Sequence, residues 1–265
     1  MTDDAPAPAP KAPKAPAAHQ PRTGPLSGGR AGYVALGLSV VALGLAAAPY
    51  FNGGANVRAY LLEHPEVLQE ASLALQAKEG QARVDETNAA AAANAGLLAP
   101  DSRDPAFGPA DAKVTVIEFF DFRCPGCKAV AHDYRALMAA HPEVRFVFKD
   151  WPILDRGDDV TSQYAARAAL AAHQQGKYLD VYDALMNERA LTPASIDAIL
   201  AANGVDMTRA KAALASPETT RHIADIHTTA AALRLQGTPT FFVNGKAAAS
   251  IDPAEIGKMI EAAKK

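Results

Sequence analysis

The stretch from Val114 to Cys127 decides the fold of this chain, and it reads VTVIEFFDFRCPGC. Its β-branched and aromatic residues are apolar on both faces except at Glu118 and Asp121, which is typical of a buried central strand. The strand is predicted to stop at Arg123, and the next four residues contain two cysteines, Cys124 and Cys127. We therefore expect a fold built around a strand that ends on a pair of thiols.

The two thiols form a C-x-x-C pair in which Cys124 precedes a predicted helix and Cys127 lies inside it. Pro125 suits the first helical position, so Cys124 lies where unpaired backbone N–H groups and the positive helix end meet. That position stabilises a thiolate, and the flanking Arg123 and Lys128 add positive charge. Cys124 is therefore the predicted nucleophile, and Cys127, one turn deeper, is placed to resolve a mixed disulfide.

A C-x-x-C pair can also be half of a structural zinc site, which usually needs four ligands. The chain has 2 cysteines, its nearest histidine beyond the pair is His132, and no second ligand pair with finger-like spacing follows. A buried strand before the pair and a helix after it favour redox chemistry. We expect no metal here, and the disulfide that the two cysteines can form is the redox group.

Composition limits the classes of function. The chain has 265 residues, 49% hydrophobic and 21% charged, which allows one globular domain with additional segments. A net charge of -3, without a basic stripe interleaved with aromatic residues, argues against nucleic-acid binding. Because both cysteines lie in one pair, there is no structural disulfide framework, which fits an exported protein whose only thiols are catalytic.

The first 50 residues predict where the protein resides. Residues 1–30 are rich in Pro and Ala and are predicted to be a disordered cytoplasmic tail. Residues 31–50 carry no charge, and a helix of this length, at about 1.5 Å per residue, matches the hydrocarbon core of a bilayer. Pro49 disfavours signal-peptide cleavage after the preceding alanines. We therefore expect a single-pass anchor in the inner membrane, with the catalytic domain in the periplasm.

Residues 51–103 are predicted to be a helical segment that serves for oligomerisation or as a spacer. Pro65 is expected to divide it into a short helix and a longer one. Apolar positions follow the 4-3-4-3-4 spacing of a coiled-coil stripe. They are Val57, Leu61, His64, Leu68, Ala71 and Leu75. Because so one-sided a segment cannot bury its own apolar face, it is expected to pack on another copy, on the membrane or on the next domain.

From residue 104 onward the pattern predicts an α/β domain. A second strand over Val144–Lys149 follows the Cys124 helix and forms a β-α-β unit with parallel strands. Residues 160–235 are predicted to be helical, and a strand through Thr240–Val243 and a last helix from about Pro253 to Ala263 complete the chain. Breaks in the helical stretch are expected near Gly176, Pro193, Gly204 and Pro217.

Three motifs in residues 104–265 resemble signatures of the DsbA-like thioredoxin-fold disulfide oxidoreductases. They are EFFDFRCPGC at 118–127, KDWPIL at 149–154 and GTPTF at 237–241. The N-terminal RAYLLEHPEVL at 58–68 resembles the suppressor-of-copper-sensitivity C (ScsC) group, whose members include trimeric disulfide isomerases. Together these features imply a thioredoxin fold with a helical insertion, preceded by a transmembrane helix and a helical oligomerisation segment.

The resemblance implies roles for individual residues besides the two cysteines. Pro239 would be the cis-proline that faces the disulfide, and Thr238 would offer backbone hydrogen bonds to an extended substrate peptide. Glu118 and Lys149 are candidates for a proton relay to Cys127. An ion pair between Glu118 and Lys149 is the plain structural alternative.

Two positions bear on the direction of the reaction. Gly126 stands where the strongest oxidants of the family carry His, so Cys124 is expected to be less acidic than theirs. Thr238 resembles the isomerase branch. We therefore predict a disulfide isomerase that acts on misfolded or copper-oxidised exported proteins, forms a homo-oligomer such as a trimer, and is reduced by a membrane electron donor of the DsbD or ScsB type.

Three alternatives stay open from the sequence. A net dithiol oxidase would run the same chemistry from the other redox state. A Cu(I)-binding or metal-delivery protein is the second, because two thiolates at this spacing suit soft Cu(I). A purely structural oligomer is the third.

Overall fold

The computed structural model describes residues 36–43 and 57–265. Residues 36–43 are helical, and no helix within the described residues is both long enough and apolar enough to cross a membrane. The predicted tail, residues 1–30, and most of the predicted anchor, residues 31–50, lie outside the described residues. The chain divides into two compact units, Met1–Gln69 and Glu70–Lys265.

Two consecutive helices precede the sheet, as predicted. Helix α1 covers residues 57–63 and helix α2 covers Glu66–Ala93, so the break falls at Pro65. After α2 the chain forms one 3-10 turn, Ala95–Leu98. Apolar side chains of the predicted stripe are exposed in the single chain, with Val57 at 56% and Leu68 at 55%.

The second half of α2 is part of the same compact unit as the sheet. Asn88 Oδ1 accepts a hydrogen bond from the N–H of Ala247 at 2.8 Å, and Glu86 pairs with Arg234 at 2.7 Å. The compact unit that contains the sheet therefore begins at Glu70, whereas the domain was predicted to start near residue 104. The α2 side chains that are buried in this packing are Thr87, Ala90 and Ala91.

The described residues form one sheet with the strand order β1-β3-β2-β4-β5. Strands β2 and β3 are parallel, as predicted, and the other three neighbouring pairs are antiparallel. Strand β2 ends at Phe120, before the predicted end at Arg123, because the chain turns at Asp121. The strands are β1 Ala106–Phe107, β2 Thr115–Phe120, β3 Arg145–Asp150, β4 Thr240–Val243 and β5 Lys246–Ala247.

The helices follow the predicted breaks closely. Thr192 and Ser216 cap α6 and α8 with their side chains, and a proline follows each cap, which is why the chain restarts a helix there. The helices after β2 are α3 Pro125–Ala140, α4 Thr161–His173, α5 Tyr178–Asn187, α6 Pro193–Ala202, α7 Met207–Leu214, α8 Pro217–Ala232 and α9 Pro253–Ala263.

Side chains of β2 alternate between two apolar layers. Phe120 packs on one face with α3 and α5, and Phe119 packs on the other face with Trp151 and α8. The first layer is aromatic, and the ring of Phe148 lies at its centre without solvent exposure. The rings around Phe148 belong to Phe107, Phe120, Tyr134, Tyr178 and Tyr182.

We predict that Phe148→Ala lowers the free energy of unfolding by about 3–5 kcal/mol, because it leaves a cavity among five aromatic rings. Urea denaturation of the reduced protein measures this loss. The matched control is Val160→Ala at a side chain that is 58% exposed, which should change the same free energy by less than about 0.5 kcal/mol. A loss of less than about 1 kcal/mol for Phe148→Ala would contradict this packing.

Candidate active site

Cys124 is the N-cap of α3, and Pro125 occupies the first turn, as predicted. The N–H of Cys124 donates to the carbonyl of Asp121 at 3.0 Å, which closes the turn after β2. The N–H of Cys127 donates to the sulfur of Cys124 at 3.4 Å. The sulfur thus takes the place of a capping side chain at the positive end of a helix.

The environment of Cys124 favours its thiolate. Its pKa is lowered to about 5, chiefly by the hydrogen bond from the Cys127 side chain, then by one from the Thr238 side chain, with help from the N–H groups of Cys127 and Gly126. Burial opposes this shift, since Cys124 is only 7% exposed. A pKa of about 5 lies between about 3.5 for DsbA and about 7 for thioredoxin. Cys124 is therefore ionised at neutral pH and less acidic than the strongest oxidant.

Cys127 behaves in the opposite way. Its side chain has no solvent exposure, and burial raises the pKa of its thiol far above the ordinary value. The hydrogen bond to Cys124 and the charge of Glu118 raise that pKa further. The environment therefore favours the thiolate at Cys124 and the neutral thiol at Cys127.

The two flanking cations contribute less to the thiolate than predicted. Arg123 pairs with Asp155 at 3.2 Å and with Asp159 at 2.7 Å, so its charge is compensated. Lys128 extends away to the end of α5, and neither cation is among the causes that lower the pKa of Cys124. The carbonyls that accept hydrogen bonds from Lys128 Nζ, at 3.0, 3.2 and 2.6 Å, belong to Leu185, Met186 and Glu188.

Asp121 organises the loop before Cys124, a role that sequence reasoning missed. Its carboxylate is 2% exposed and accepts hydrogen bonds from the N–H groups of Arg123, Ile153 and Leu154 at 2.8, 2.8 and 3.0 Å. The hydroxyl of Ser162 donates to it at 3.0 Å. These four bonds fasten the thiol turn to the loop after β3. The sequence feature that could have indicated this role is an acidic residue at the end of a predicted buried strand.

Glu118 lies in β2 without solvent exposure. Burial raises the pKa of its carboxyl well above the ordinary range, and the nearby charge of Asp150 raises it further. The hydroxyl of Tyr182 donates to Oε2 at 3.5 Å, and Oε1 has no hydrogen-bond partner among the described residues. Because the charge of Glu118 also affects the pKa of Cys127, this carboxyl is coupled to the thiol pair.

Lys149 pairs with Asp104 and not with Glu118, which contradicts the ion pair considered as the structural alternative to a relay. Lys149 lies opposite Phe119 in the register of β2 and β3. Since side chains alternate along a strand, Lys149 faces the side of the sheet away from Glu118. Its Nζ pairs with Asp104 Oδ2 at 2.5 Å, and His222 Nε2 lies 3.2 Å from Oδ1 of the same aspartate.

The loop before β4 meets the thiol turn, as the resemblance implies. The Thr238–Pro239 peptide bond is cis, and the sulfur of Cys124 donates to the carbonyl of Thr238 at 3.2 Å. A Cβ atom on Gly126 would lie 3.3 Å from Pro239 Cδ and 3.7 Å from the sulfur of Cys124. Gly126 therefore lets the proline ring approach the C-x-x-C turn closely.

Comparison with known families agrees with this geometry. A family model described as Thioredoxin matches residues 101–262, so the chain belongs to the thioredoxin family, within it to the thiol–disulfide oxidoreductases of the DsbA-like type. A second model, described as Copper resistance protein ScsC N-terminal domain, matches residues 54–82. Within its class, the chain is therefore a member of the ScsC group.

Solved structures share the fold. The thioredoxin-like oxidoreductase from Silicibacter pomeroyi DSS-3 is 34% identical with a TM-score of 0.57, and the match covers 62% of this chain and 94% of that chain. Proteus mirabilis ScsC in a transitional conformation is 25% identical with a TM-score of 0.59, and the match covers 82% of this chain and 97% of that one.

Curated relatives match over a shorter share of their own length. The Na(+)/H(+) antiporter NhaA 3 of Salinispora tropica is 36% identical over 148 residues, which are 56% of this chain and 22% of that protein. The chain thus spans about a quarter or less of the length of the curated relatives that it matches.

We predict that alkylation of Cys124 in the reduced protein reaches half its maximal rate near pH 5, because its pKa is about 5. Cys127→Ala should move this midpoint upward, since it removes the hydrogen bond that lowers the pKa most. Iodoacetamide labelling followed by mass spectrometry measures both midpoints. A wild-type midpoint near that of an ordinary cysteine, about 8.5, would contradict the described environment.

We predict that the stability of the oxidised protein relative to Glu118→Gln falls as the pH rises above about 4.5. The folded pKa of Glu118 lies above its unfolded value of 4.5, so the unfolded state ionises first. The loss should reach about 1.4 kcal/mol per pH unit until the folded pKa is passed. Urea denaturation across pH measures it, with exposed Glu79→Gln as control. Parallel curves for wild type and Glu118→Gln would contradict the burial of an ionisable Glu118.

Proposed function

We propose that this thiol–disulfide oxidoreductase is a protein disulfide isomerase in which Cys124 attacks and Cys127 resolves. The asymmetry of the thiol pair carries the assignment of attack and resolution: the pKa of Cys124 is lowered to about 5, whereas burial raises that of Cys127. A thiolate is the attacking species in disulfide exchange. The neutral, buried thiol beside it does not attack until it loses its proton, after the mixed disulfide has formed. The disulfide of the two cysteines is the redox group, and we propose no metal cofactor.

The first step is exchange. The thiolate of Cys124 attacks one sulfur of a client disulfide, that S–S bond breaks, and one client thiolate leaves as the mixed disulfide forms. We propose that the backbone of Thr238, beside Pro239, holds the extended client segment during this attack. The carbonyl of Thr238 already reaches the sulfur of Cys124 at 3.2 Å, which supports this placement.

Two outcomes follow from the mixed disulfide. In isomerisation, another client thiolate attacks the client sulfur of the mixed disulfide, a new client disulfide forms and Cys124 leaves as thiolate, without net oxidation. In reduction, Cys127 loses its proton and attacks the sulfur of Cys124, which releases the client as a thiol. The client then gains two electrons, and the enzyme is left with the Cys124–Cys127 disulfide.

Glu118 is our candidate to accept the proton of Cys127. The reduction step must deprotonate a thiol whose pKa burial has raised, and Glu118 is the buried carboxyl coupled to it. The relay proposed here does not include Lys149, because that side chain pairs with Asp104 on the other face of the sheet.

We predict that Glu118→Gln prolongs the lifetime of the mixed disulfide at least about 10-fold without changing the rate of attack by Cys124, because only resolution needs this proton acceptor. Acid quenching and mass spectrometry follow both steps. Cys127→Ala, which cannot resolve, gives the upper limit of the lifetime. Equal lifetimes in Glu118→Gln and wild type would remove Glu118 from the relay.

Isomerisation is favoured by the N-terminal segment. Residues 54–82 match an ScsC N-terminal domain, and side chains such as Leu68 and Leu75 in this segment are exposed in the single chain. We propose that copies associate through these helices as a homo-oligomer, such as a trimer. Several thiolates would then face one client and raise the effective thiol concentration. Misfolded or copper-oxidised exported proteins are the proposed clients.

The proposal also includes an electron donor for the enzyme and its location in the cell. An isomerase has to be kept reduced, so we propose a membrane electron donor of the DsbD or ScsB type as partner. The uncharged residues 31–50 support an anchor in the inner membrane with the catalytic domain in the periplasm.

A net oxidase is the second candidate, and the acidity of Cys124 favours it. Stabilising the thiolate stabilises the reduced enzyme, which makes the enzyme disulfide more oxidising. Refolding of scrambled ribonuclease separates the two candidates. The proteins to compare are residues 51–265 and residues 70–265, the second of which keeps the whole compact unit that begins at Glu70.

We predict that residues 51–265 restore ribonuclease activity and that residues 70–265 do so at least about 10-fold more slowly, because separate active sites lose the gain in effective concentration. Thermal unfolding confirms that both proteins are folded. Failure of both proteins together with rapid oxidation of a reduced peptide would identify an oxidase. Tight Cu(I) binding with negligible exchange would instead identify a metal-delivery protein.

A further inference from the structure

A groove of about 500 Å³ lies next to the loop that precedes β4. One wall is the middle of α2, and the other is the loop before β4 together with the segment after β5. All of its walls belong to the compact unit Glu70–Lys265. The residues that matter for its chemistry are Arg83, Val84 and Thr87 on α2 and Pro239, Ala248 and Ile251 opposite.

The groove lies close to the reactive sulfur. A Cβ atom placed on Gly126 would lie 3.3 Å from Pro239 and 3.8 Å from Ile251, both of which line the groove. The same Cβ atom would lie 3.7 Å from the sulfur of Cys124. A polypeptide whose cysteine is bonded to Cys124 therefore has this groove beside it as it leaves the thiol.

The α2 wall is fixed in place. Asn88 Oδ1 accepts a hydrogen bond from the N–H of Ala247 in the edge strand β5, and Thr87 is buried. Glu86 forms its ion pair with Arg234 at 2.7 Å. Arg83 lies one helical turn before these contacts, so the backbone that carries it is held in position.

Arg83 gives the groove its charge. No other residue that lines the groove is charged. Within the described part of the chain, Arg83 forms no ion pair, and its side chain is exposed. A guanidinium presents a planar fork of N–H groups that matches a carboxylate, so an acidic side chain is the occupant that complements this groove.

We propose that the groove binds the client segment next to the attacked cysteine and that Arg83 selects segments carrying Asp or Glu. Arg83 is thus a specificity residue contributed by the helix that precedes the sheet. This inference rests on the proposed function, since it requires a client held at Cys124. It adds the chemical class of client that the site prefers.

Two peptides that differ only in the charge beside their single cysteine test the proposal. Each carries the cysteine as a mixed disulfide with a small fluorescent thiol, flanked by Asp residues in one peptide and by Lys residues in the other. The rate constant of exchange with the reduced full chain is measured for wild type, Arg83→Glu and Lys78→Glu. Lys78 is an exposed cation on the same helix that does not line the groove, so it is the matched control.

We expect wild type and Lys78→Glu to react about 3- to 5-fold faster with the acidic peptide than with the basic one, as an exposed ion pair allows. Arg83→Glu should lose or reverse this preference, and added salt should weaken it in wild type. An unchanged preference in Arg83→Glu, or the same loss in Lys78→Glu, would overturn the proposal.

Two further measurements distinguish a failure of the proposed function from a failure of the role proposed for Arg83. A small uncharged disulfide should react equally with all three proteins. If it and both peptides fail to react with wild type, the proposed function is wrong; if all react without charge preference, only the role of Arg83 is wrong. A change of oligomer mass in Arg83→Glu, measured by light scattering, would assign the groove to a second copy of the chain and overturn the client assignment.

Discussion

The whole site depends on the sulfur of Cys124 lying at the N-terminus of α3, where the N–H of Cys127 donates to it at 3.4 Å. Reaching that position requires β2 to end at Phe120 and the chain to turn through Asp121, whose carboxylate is held by four hydrogen bonds. It also requires the loop before β4 to present the carbonyl of Thr238 to the same sulfur. The hydrogen bond from the Cys127 side chain, then the one from the Thr238 side chain and the N–H groups at the helix end, rather than neighbouring cations, make the thiol acidic.

Burial supplies the other half of the chemistry. The hydrogen bond from the Cys127 side chain, aided by the N–H groups at the helix end, lowers the pKa of Cys124, while burial in the core that surrounds β2 raises the pKa values of Cys127 and Glu118. The pKa of the attacking thiol is thus shifted downward and those of the resolving thiol and the nearby carboxyl upward, which permits attack and resolution to follow in order. A buried carboxyl that is short of hydrogen-bond partners costs stability, so its place beside the thiol pair favours a chemical role.

Much of this could be predicted from the sequence, because local patterns determine it. The run of apolar residues before Cys124 predicted β2, and capping residues followed by proline, as at Thr192, predicted where helices restart. Pairings that depend on register could not be predicted. The side of the sheet that Lys149 faces, and so its pairing with Asp104, follows from tertiary structure alone. The alanine-rich end of α2 likewise carries no pattern that distinguishes a linker from a packed helix.

Trapping of the mixed disulfide tests the central claim most directly. Reduced Cys127→Ala protein is mixed with a peptide disulfide, and the adduct is mapped by mass spectrometry. A stable one-to-one adduct through Cys124, formed far faster than any adduct of the reciprocal Cys124→Ala protein, is the predicted result. Equal rates for the two variants, or no adduct in either, would contradict a site in which Cys124 alone is the poised nucleophile.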